Sequence, residues 1–428
     1  MSLLSQFFAI RNRFAGWLIL LTAIFFLLAK FSILSVLWGI VAAWGAVIFC
    51  WPVLSRSSHR QSGALLTLGV IMLGWGALKG TDIDYVQAIS RNLPLLTMFV
   101  AVSFLSLTNP VHEDQKQPEG KKGFWSTLLS CHLLGAIINL SIVFVVGDRL
   151  CRKGIVKDSQ VQVIMRGFCS GAYWSPFFVA TGVAMTYAPG AQWQHTVIPG
   201  LLLVVPMAIL TFFEVNRSKI DGFKGYPIRR DSLFMPILLA FIVLLIHRFV
   251  GHLNILTVIS LIAPLGALLF MTGRPRHYTL LNYVEARLSN VASQFALFLA
   301  AGVFSSGVAA VLHTYPSIFI FHATGFTSTI FLIASGLMIL VGLIGVHPVV
   351  SVSLVSPLLM PVSTNPNQLA FLFLSVWGTA TACSPLSGVG LAMTSRYQVS
   401  SRSILRLNWK YMIGMWLMAG GVNWLLFR

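Results

Sequence analysis

The sequence predicts an all-α, polytopic membrane protein of about 10 to 12 transmembrane helices in two inverted repeats, each with a broken helix or re-entrant hairpin. Three observations support this fold class: an apolar composition, a series of apolar runs of spanning length, and an internal repeat. Hydrophobic residues make up 57% of the 428 positions, charged residues 9%, and the mean hydropathy is +0.83. Water-soluble domains carry charges at roughly a quarter of their positions, so this chain belongs in a bilayer.

Apolar runs follow one another along the whole chain, and several are shorter than the roughly 20 residues of a simple span. The runs cover 15–29, 33–54, 63–78, 93–108, 124–146, 194–213, 234–250, 253–272, 291–312, 327–346 and 410–427. We expect a single membrane transport domain over 1–428. Within it we expect a first half at 1–210, linking helices at 211–290 and a second half at 291–428.

The net charge of +18 comes from Lys and Arg in short connections beside apolar runs. Cytoplasmic loops of membrane proteins collect basic residues in this way, which explains the charge better than nucleic-acid binding does. We therefore expect a multi-pass protein of the inner (cytoplasmic) membrane. The five cysteines are dispersed without CxxC spacing and are expected to be free thiols.

Two apolar stretches are interrupted by Gly, Pro, Ser and Thr, and they resemble each other. The first, 168–187, contains Ser175-Pro176 followed by Gly-Val-Ala-Met-Thr. The second, 377–395, contains Ser384-Pro385 followed by Gly-Leu-Ala-Met-Thr. The two serines are 209 residues apart, about half the chain. Such a period is too long for a solenoid unit and is typical of a duplicated half-transporter.

The charges that flank the two stretches predict opposite orientations. The first is preceded by Arg149, Arg152, Lys153, Lys157 and Arg166, and the second is followed by Arg396, Arg402, Arg406 and Lys410. The segments 188–210 and 360–374 contain no Lys or Arg. By the positive-inside rule, the chain enters the first stretch from the cytoplasm and the second from outside.

The number of spans predicted before the first stretch does not agree with this orientation. Five spans before Asp148 would place Arg11 opposite Arg149, although both ends are basic. Either one early run is not a full span, or the segment 124–146 does not cross simply.

Each Ser-Pro pair predicts a break, because the residue before proline avoids the α region while serine and proline favour a helix start. A new helix is expected at Ser175 and at Ser384. A helix N-terminus inside the bilayer attracts anions, and exposed carbonyls beside it can hold Na⁺. The expected substrate-binding residues are Ser170, Gly171, Ser175, Pro176, Thr379, Thr381, Ser384, Pro385 and Ser387. The alternative is that Ser-Pro only kinks ordinary transmembrane helices.

Every Asp and Glu lies in a connection or at its edge, so no span carries a central carboxylate. Proton-coupled and organic-cation carriers commonly use such a group. Its absence favours an anionic or neutral substrate with coupling to Na⁺, although histidines leave H⁺ open. Asn139 and His347 are candidates for ion coupling or for the pocket. A structural role at a helix start is the simpler interpretation of His347.

At the two Ser-Pro/Gly-x-Ala-Met-Thr segments, the chain resembles the ion transporter superfamily. That group includes divalent-anion/sodium symporters, membrane subunits of tripartite dicarboxylate transporters, and arsenite and sodium/proton carriers. The resemblance is confined to these motifs and to the layout of about 120–428. It implies two inverted hairpins whose tips bind substrate and Na⁺, and a motif-bearing bundle that moves against a scaffold. The Ser-Asn-Thr triplet of the divalent-anion symporters is missing here, which argues against a dicarboxylate.

The sequence thus predicts a secondary active transporter for a small anionic solute, a carboxylate or an oxyanion, rather than an enzyme. No catalytic residue, metal site or cofactor is expected apart from Na⁺ at the tips. The solute and the lipid bilayer are the expected partners, with a homodimer and a soluble binding partner left open. The alternatives are an intramembrane glycan- or lipid-processing enzyme and the membrane subunit of a multi-component transporter.

Overall fold

The computed structural model describes residues 3–108, 116–151, 155–217, 220–228, 230–250, 253–316 and 325–427. Over these ranges the regular structure is helical apart from one isolated β-bridge between Glu119 and Lys224. The α-helices are α1 (Leu3–Lys30), α2 (Val36–Cys50), α3 (Arg56–Leu78), α4 (Tyr85–Ser90), α5 (Leu93–Ser103), α6 (Gly120–Ile138), α7 (Ser141–Leu150), α8 (Asp158–Cys169), α9 (Val179–Tyr187), α10 (Trp193–Arg217), α11 (Arg230–Phe249), α12 (Ile255–Phe270), α13 (Arg276–Asn282), α14 (Ala292–Thr314), α15 (Ser328–Leu343), α16 (Pro348–Leu359), α17 (Pro366–Cys383), α18 (Gly388–Arg396) and α19 (Ser401–Leu426).

Seven helical stretches of the described chain are long and apolar enough to cross a membrane. They are Ile10–Lys30, Val36–Val53, Arg56–Leu78, Tyr85–Thr108, Trp193–Arg217, Arg276–Thr314 and Pro366–Arg396. Four shorter apolar helices accompany them, at Ile237–Ile246, Ile255–Phe270, Ser328–Leu343 and Pro348–Val362. The prediction of a helical, multi-pass membrane protein is confirmed.

The chain packs into two compact units. Unit 1 consists of 1–108, 245–322 and 356–361, and unit 2 consists of 109–244, 323–355 and 362–428. Both Ser-Pro stretches belong to unit 2.

Unit 1 is a set of closely packed helices joined by a few polar contacts. Helix α3 packs along α14, and α1 packs along α2. The Asn92 side chain donates a hydrogen bond to the Phe298 carbonyl, and the hydroxyls of Thr81 and Thr314 are 2.8 Å apart. These contacts connect the N-terminal helices to α14 within the unit.

Five helices recur in the same order, and all of them belong to unit 2 except the last residues of α16, 356–359. Helices α6, α8 and α10 begin at 120, 158 and 193, and α15, α17 and α19 begin 208 residues later in each case. The starts of α7 and α16, and of α9 and α18, differ from this spacing by one residue. The repeat in helix order therefore covers 120–217 and 328–426. The broader division into 1–210, 211–290 and 291–428 stays a prediction.

Helices α6 and α7 form a hairpin. The Gln117 side-chain amide, just before α6, donates a 2.7 Å hydrogen bond to the carbonyl of Arg149 at the end of α7. The turn between the helices is at Asn139, whose φ of +56° lies in the left-handed region. Since the two ends of the hairpin are adjacent, this segment returns to the side from which it came.

Helices α15 and α16 fold back in the same way. Asn423 donates to Ser328 at the start of α15 and accepts from Gln368 in the first turn of α17. The chain between these two helix starts therefore goes out and returns. Its turn includes Gly345, whose φ is +95°.

The two broken helices, α8–α9 and α17–α18, run in opposite directions past each other. At one end, Asp148 and Asp158, which flank the α7–α8 connection, pair with Arg396 and Arg406 around the α18–α19 connection. At the other end, the Gln192 amide after α9 donates to the Asn367 side chain at the start of α17, at 2.7 Å. The beginning of each broken helix thus adjoins the end of the other. Arg152 and Lys153 of the predicted basic flank lie outside the described residues.

Substitution of Gly200 by Ala should destabilise the protein. A Cβ atom at this position of α10 would overlap the Tyr173 carbonyl oxygen, which is backbone and cannot rotate away. Overpacking of this kind costs about 1 to 3 kcal/mol. Thermal unfolding of purified protein in detergent should therefore show a lower Tm.

Gly421→Ala in α19 is the matched control, because no atom lies within 4 Å of a Cβ at Gly421. Replacement of an open helical glycine by alanine should leave the Tm unchanged or raise it. Equal effects of the two variants would contradict the close packing of α10 on the Tyr173 carbonyl.

Candidate functional site

The first break lies between Tyr173 and Val179, where a short 3₁₀ turn ends and α9 has not begun. The Ser175 hydroxyl donates to the carbonyl of Ala136 in the first hairpin and accepts from the amide of Phe177. The Ser175 carbonyl accepts from the Thr181 hydroxyl. Serine and threonine thus supply the hydrogen bonds that the interrupted helix cannot make.

The second break, Ser384 to Ser387, repeats this arrangement. The Ser384 hydroxyl accepts from the amide of Leu386, two residues on, at 3.3 Å. The Ser384 carbonyl accepts from the Ser387 hydroxyl at 2.8 Å. In each copy the Ser-Pro serine therefore caps its own turn, and a second hydroxyl holds its carbonyl.

The predicted helix starts at Ser175 and Ser384 are wrong by about four residues. The following helices begin at Val179 and Gly388, and Ser387 is the N-cap of α18, with its hydroxyl accepting from the Gly390 amide. The Ser-Pro pair closes a turn inside the break because its serine hydroxyl bonds two residues forward. Proline then lies within the turn rather than in the first helical position.

Each break leaves some backbone carbonyls and some backbone amides without a hydrogen bond within the described chain. Before the breaks these are the carbonyls of Ala172, Tyr173, Ala382 and Cys383. After the breaks they are the amides of Val179, Ala180, Gly388 and Val389. Carbonyls at a helix end suit a cation, and amides at a helix start suit an anion.

The two broken helices meet at Tyr173. Its hydroxyl is 3.1 Å from the Thr379 hydroxyl, and its ring covers Gly378. Both Tyr173 and Thr379 are buried. The first break therefore contacts the last two turns of α17, immediately before the second break.

His132 of the first hairpin is hydrogen-bonded through both ring nitrogens to residues of the first broken helix and its break. The Ser170 hydroxyl donates to the Gly167 carbonyl, so it accepts from Nδ1 of His132. Nε2 of His132 then accepts from the indole N–H of Trp174, at 3.2 Å. This pattern fits the neutral imidazole with its proton on Nδ1. The side chains of His132 and Ser170 are thus engaged in an interhelical contact.

The two remaining candidates, Asn139 and His347, lie at the hairpin turns. Asn139 is half-buried, and its side-chain amide makes no hydrogen bond in the described part of the chain. Nδ1 of His347 accepts from the Val349 amide at 3.3 Å, as a helix-capping group does. The His347 ring also lies edge-on to Trp377, with 5.4 Å between the centroids.

A buried ion pair lies beside the second break. Arg166 of α8 has no exposed side-chain surface, and its Nη2 lies 2.7 Å from a carboxylate oxygen of Glu214 in α10. Nε donates to Asn408 of α19 at 2.9 Å, and Nη2 also donates to the Leu407 carbonyl. Of the charged side chains in the described chain, Arg166 alone is buried.

Most of the predicted binding residues lie in or beside the two breaks, but their contacts give them different roles. Ser170 and Gly171 are structural, since Ser170 bonds His132 and Gly171 packs on the Ala136 backbone. Ser175, Pro176, Ser384 and Pro385 are buried in the breaks, while Thr381 and Ser387 are half-buried there. Thr379 is engaged with Tyr173.

Sequence reasoning missed the roles of Tyr173, Arg166 and Glu214. Arg166 belongs to the basic flank of the first stretch, although it stands between the apolar segments 163–165 and 167–169. Glu214 similarly ends the apolar run of α10. Two opposite charges that adjoin apolar runs would have indicated an intramembrane pair.

Comparisons with known proteins bear on the fold. No protein-family model matches the sequence, and no curated protein matches it. The solved structure of the YdaH transporter of Alcanivorax borkumensis is similar, with a TM-score of 0.55 and 13% sequence identity. The match covers 86% of this chain and 98% of that chain. The chain therefore has the fold of a multi-pass membrane transporter.

Thr181→Val should lower the free energy of unfolding by about 1 kcal/mol, because the buried Ser175 carbonyl loses one of its donors. Thr186→Val in the same helix is the control, since its hydroxyl only bonds back to Gly182 within α9. Denaturant unfolding followed by tryptophan fluorescence would measure both. If Thr186→Val lost as much as Thr181→Val, the hydroxyl at 181 would have no special part in closing the break.

Proposed function

We propose that this chain is a secondary active transporter of the inner membrane that moves a small anionic solute, a carboxylate or an oxyanion, together with Na⁺ or H⁺. The observation that carries the proposal is the pair of breaks in unit 2, at each of which the end of one helix and the start of the next lie beside a buried Ser-Pro serine. Such discontinuities survive at membrane depth only where they are packed in protein or line a wet cavity. The likeness to a transporter of known structure supports the same function.

The inverted repeat is part of the proposal. Its support is that the α7–α8 connection adjoins the α18–α19 connection, while the α9–α10 connection adjoins the start of α17. Copies in the same orientation would instead bring the α7–α8 connection beside 360–366. The first pair of connections is rich in Lys and Arg, which assigns it to the cytoplasmic side.

The chemistry of the breaks favours an anion over an organic cation. Open amides face each break from α9 and α18, and Arg166 is the buried charge nearby. The described residues contain no cluster of His, Cys, Asp and Glu that could hold a metal ion. Na⁺ would therefore bind to carbonyls and hydroxyls, for which Ala382, Cys383 and Thr381 are the nearest set.

Transport would proceed by alternating access, with unit 2 as the motif-bearing bundle and unit 1 as the scaffold. A homodimer through the scaffold is included in the proposal because of the resemblance to the ion transporter superfamily. A soluble binding partner belongs to the alternative in which the chain is the membrane subunit of a multi-component transporter, which would transport only when that partner is added. An intramembrane enzyme is the competing function. Uptake by purified protein in liposomes separates the two, because an enzyme would turn over a lipid-linked donor without uptake.

Cysteine labelling should place the two groups of connections on opposite sides of the membrane. Gln192→Cys and Ser401→Cys are introduced separately into a variant without the native cysteines, at two exposed positions. In intact spheroplasts an impermeant maleimide should label residue 192 at once and residue 401 only after permeabilisation. Equal labelling of both in intact spheroplasts would exclude the inverted repeat.

Ser384→Ala should raise the half-saturation constant for uptake by about tenfold and lower the Tm less than Ser175→Ala does, because the only hydrogen bond it removes within the described chain is the one from the Leu386 amide. The Ser384 hydroxyl accepts from Leu386, but its own proton has no acceptor within the described chain, so it is free for a ligand. Loss of one hydrogen bond to a charged ligand corresponds to about a factor of ten. Uptake into proteoliposomes, with Na⁺ and proton gradients imposed separately, measures the constant.

Ser175→Ala provides a contrast, because the Ser175 hydroxyl is committed to Ala136 and Phe177. It should lower both affinity and Tm. His313→Ala, at an exposed position of α14, is the control and should change neither. If Ser384→Ala behaved like His313→Ala, the breaks would be kinks without a binding role.

A further inference from the structure

The guanidinium of Arg166 has one end with no hydrogen-bond partner. Nε and Nη2 bond Asn408, Glu214 and the Leu407 carbonyl, while Nη1 is buried and makes no hydrogen bond within the described chain. Its two N–H groups are thus desolvated and unpaired. A buried, unpaired donor of a charged group is unfavourable by more than a neutral one, so an acceptor is expected to bind there.

The surroundings of Arg166 connect it to both breaks. The Tyr411 ring lies 4.3 Å from the guanidinium carbon, and the Tyr411 hydroxyl faces that of Tyr173 in the first break. Cys383, the last residue before the second break, lies close enough to Arg166 to interact with it electrostatically. Its thiol donates a hydrogen bond to the Asn408 carbonyl. The buried cation therefore lies among residues of α8, α17 and α19 that surround the crossing of the two broken helices.

Charge balance limits what can bind. Glu214 neutralises Arg166 formally, but 23% of its side chain is exposed whereas Arg166 is not exposed at all. Glu214 bonds Nη2 and leaves Nη1 without an acceptor in the described chain, so the ion pair still has an unmet donor for an anion. No second buried Lys or Arg lies in the described part of the chain. One carboxylate can pair with the open Nη1 end, and a second would be buried without a partner.

We infer that Arg166 is the counter-charge for a single carboxylate of the solute, bound through Nη1 between α8, α17 and α19. The inference rests on the proposed function and narrows its substrate class to monocarboxylates. Arginine suits this task because its planar donor group matches carboxylate oxygens, and Nε and Nη2 are held in place by α10 and α19. The breaks then supply the remaining contacts to the solute and to Na⁺.

The test compares melting temperatures of full-length purified protein in sodium salts at matched sodium concentration and ionic strength. The anions are acetate, lactate, benzoate, succinate and sulfate, with chloride as reference. At least one monocarboxylate should raise the Tm of the wild type, because a ligand that binds only the folded state stabilises it. Sulfate also raises the Tm of folded proteins non-specifically, so each effect is taken as the difference in Tm shift between the wild type and Asn408→Asp. This difference should be smaller for succinate and sulfate.

Two variants test the role of the Arg166 guanidinium, and a third variant is a matched control. Arg166→Lys keeps the charge but loses the planar donor group, and should raise the concentration of monocarboxylate needed for half the Tm shift by about tenfold or more. Asn408→Asp places a fixed carboxylate against Arg166 and should abolish the response while Arg166 is retained. Arg406→Lys, an exposed arginine paired with Asp158, should respond like the wild type.

Each outcome decides the inference. It is overturned if no monocarboxylate raises the Tm of the wild type more than that of Asn408→Asp, as would happen if water fills the Nη1 position. The same holds if this difference between the two proteins is largest for succinate or sulfate. It is also overturned if Arg166→Lys and Asn408→Asp both respond like the wild type. Should Arg166→Lys fail to fold, Asn408→Asp carries the test alone. An Arg166-dependent Tm shift without uptake in liposomes would reject the transport function and keep the carboxylate site at Arg166. Uptake of only uncharged solutes would keep the transport function and reject the site.

Discussion

A hydrogen-bonding constraint governs the motif-bearing unit of this protein. Every backbone amide and carbonyl removed from water must find a partner or lie in a wet cavity, because hydrocarbon offers none. Four interruptions in unit 2, at Asn139, after Tyr173, around Gly345 and at Ser384, remove such partners. Side chains replace many of them: serine and threonine hydroxyls close the turns. The groups left open are therefore confined to a few positions, and these positions define the candidate site.

The two copies divide structural and chemical tasks unequally. The hydroxyl of Ser175 bonds both the hairpin beside it and its own turn, whereas the Ser384 hydroxyl donates to no acceptor among the described residues. His132, Ser170 and Trp174 make the first copy a rigid, hydrogen-bonded block. Arg166 belongs to the first copy by sequence, yet its guanidinium bonds α19 of the second. The two copies therefore share the same helix order but differ in the groups that they leave open to a ligand.

Membrane residence, helical content and the position of both breaks could be predicted from composition and from the repeated Ser-Pro and Gly-x-Ala-Met-Thr pattern. The conflict in the N-terminal count also has its explanation, since α6 and α7 return at Asn139 and four candidate spans precede them. The helix starts after the breaks were misplaced because a serine can cap a helix or close a turn, and sequence alone does not separate these roles. The Arg166–Glu214 pair was hidden because the two residues are 48 positions apart and each adjoins loop charges.

The contacts at the two ends of the broken helices have a consequence for how such a protein can arise. Asp148 and Asp158 of the first copy are matched by Arg396 and Arg406 of the second, and Gln192 is matched by Asn367. If the two copies are inverted, as proposed above, a shorter chain with one copy could make these contacts only with another molecule inserted upside down. Such a chain would need a nearly even distribution of positive charge, so that it entered the membrane in both orientations. Joining the copies in one chain would remove this requirement and let each copy carry its own charge bias.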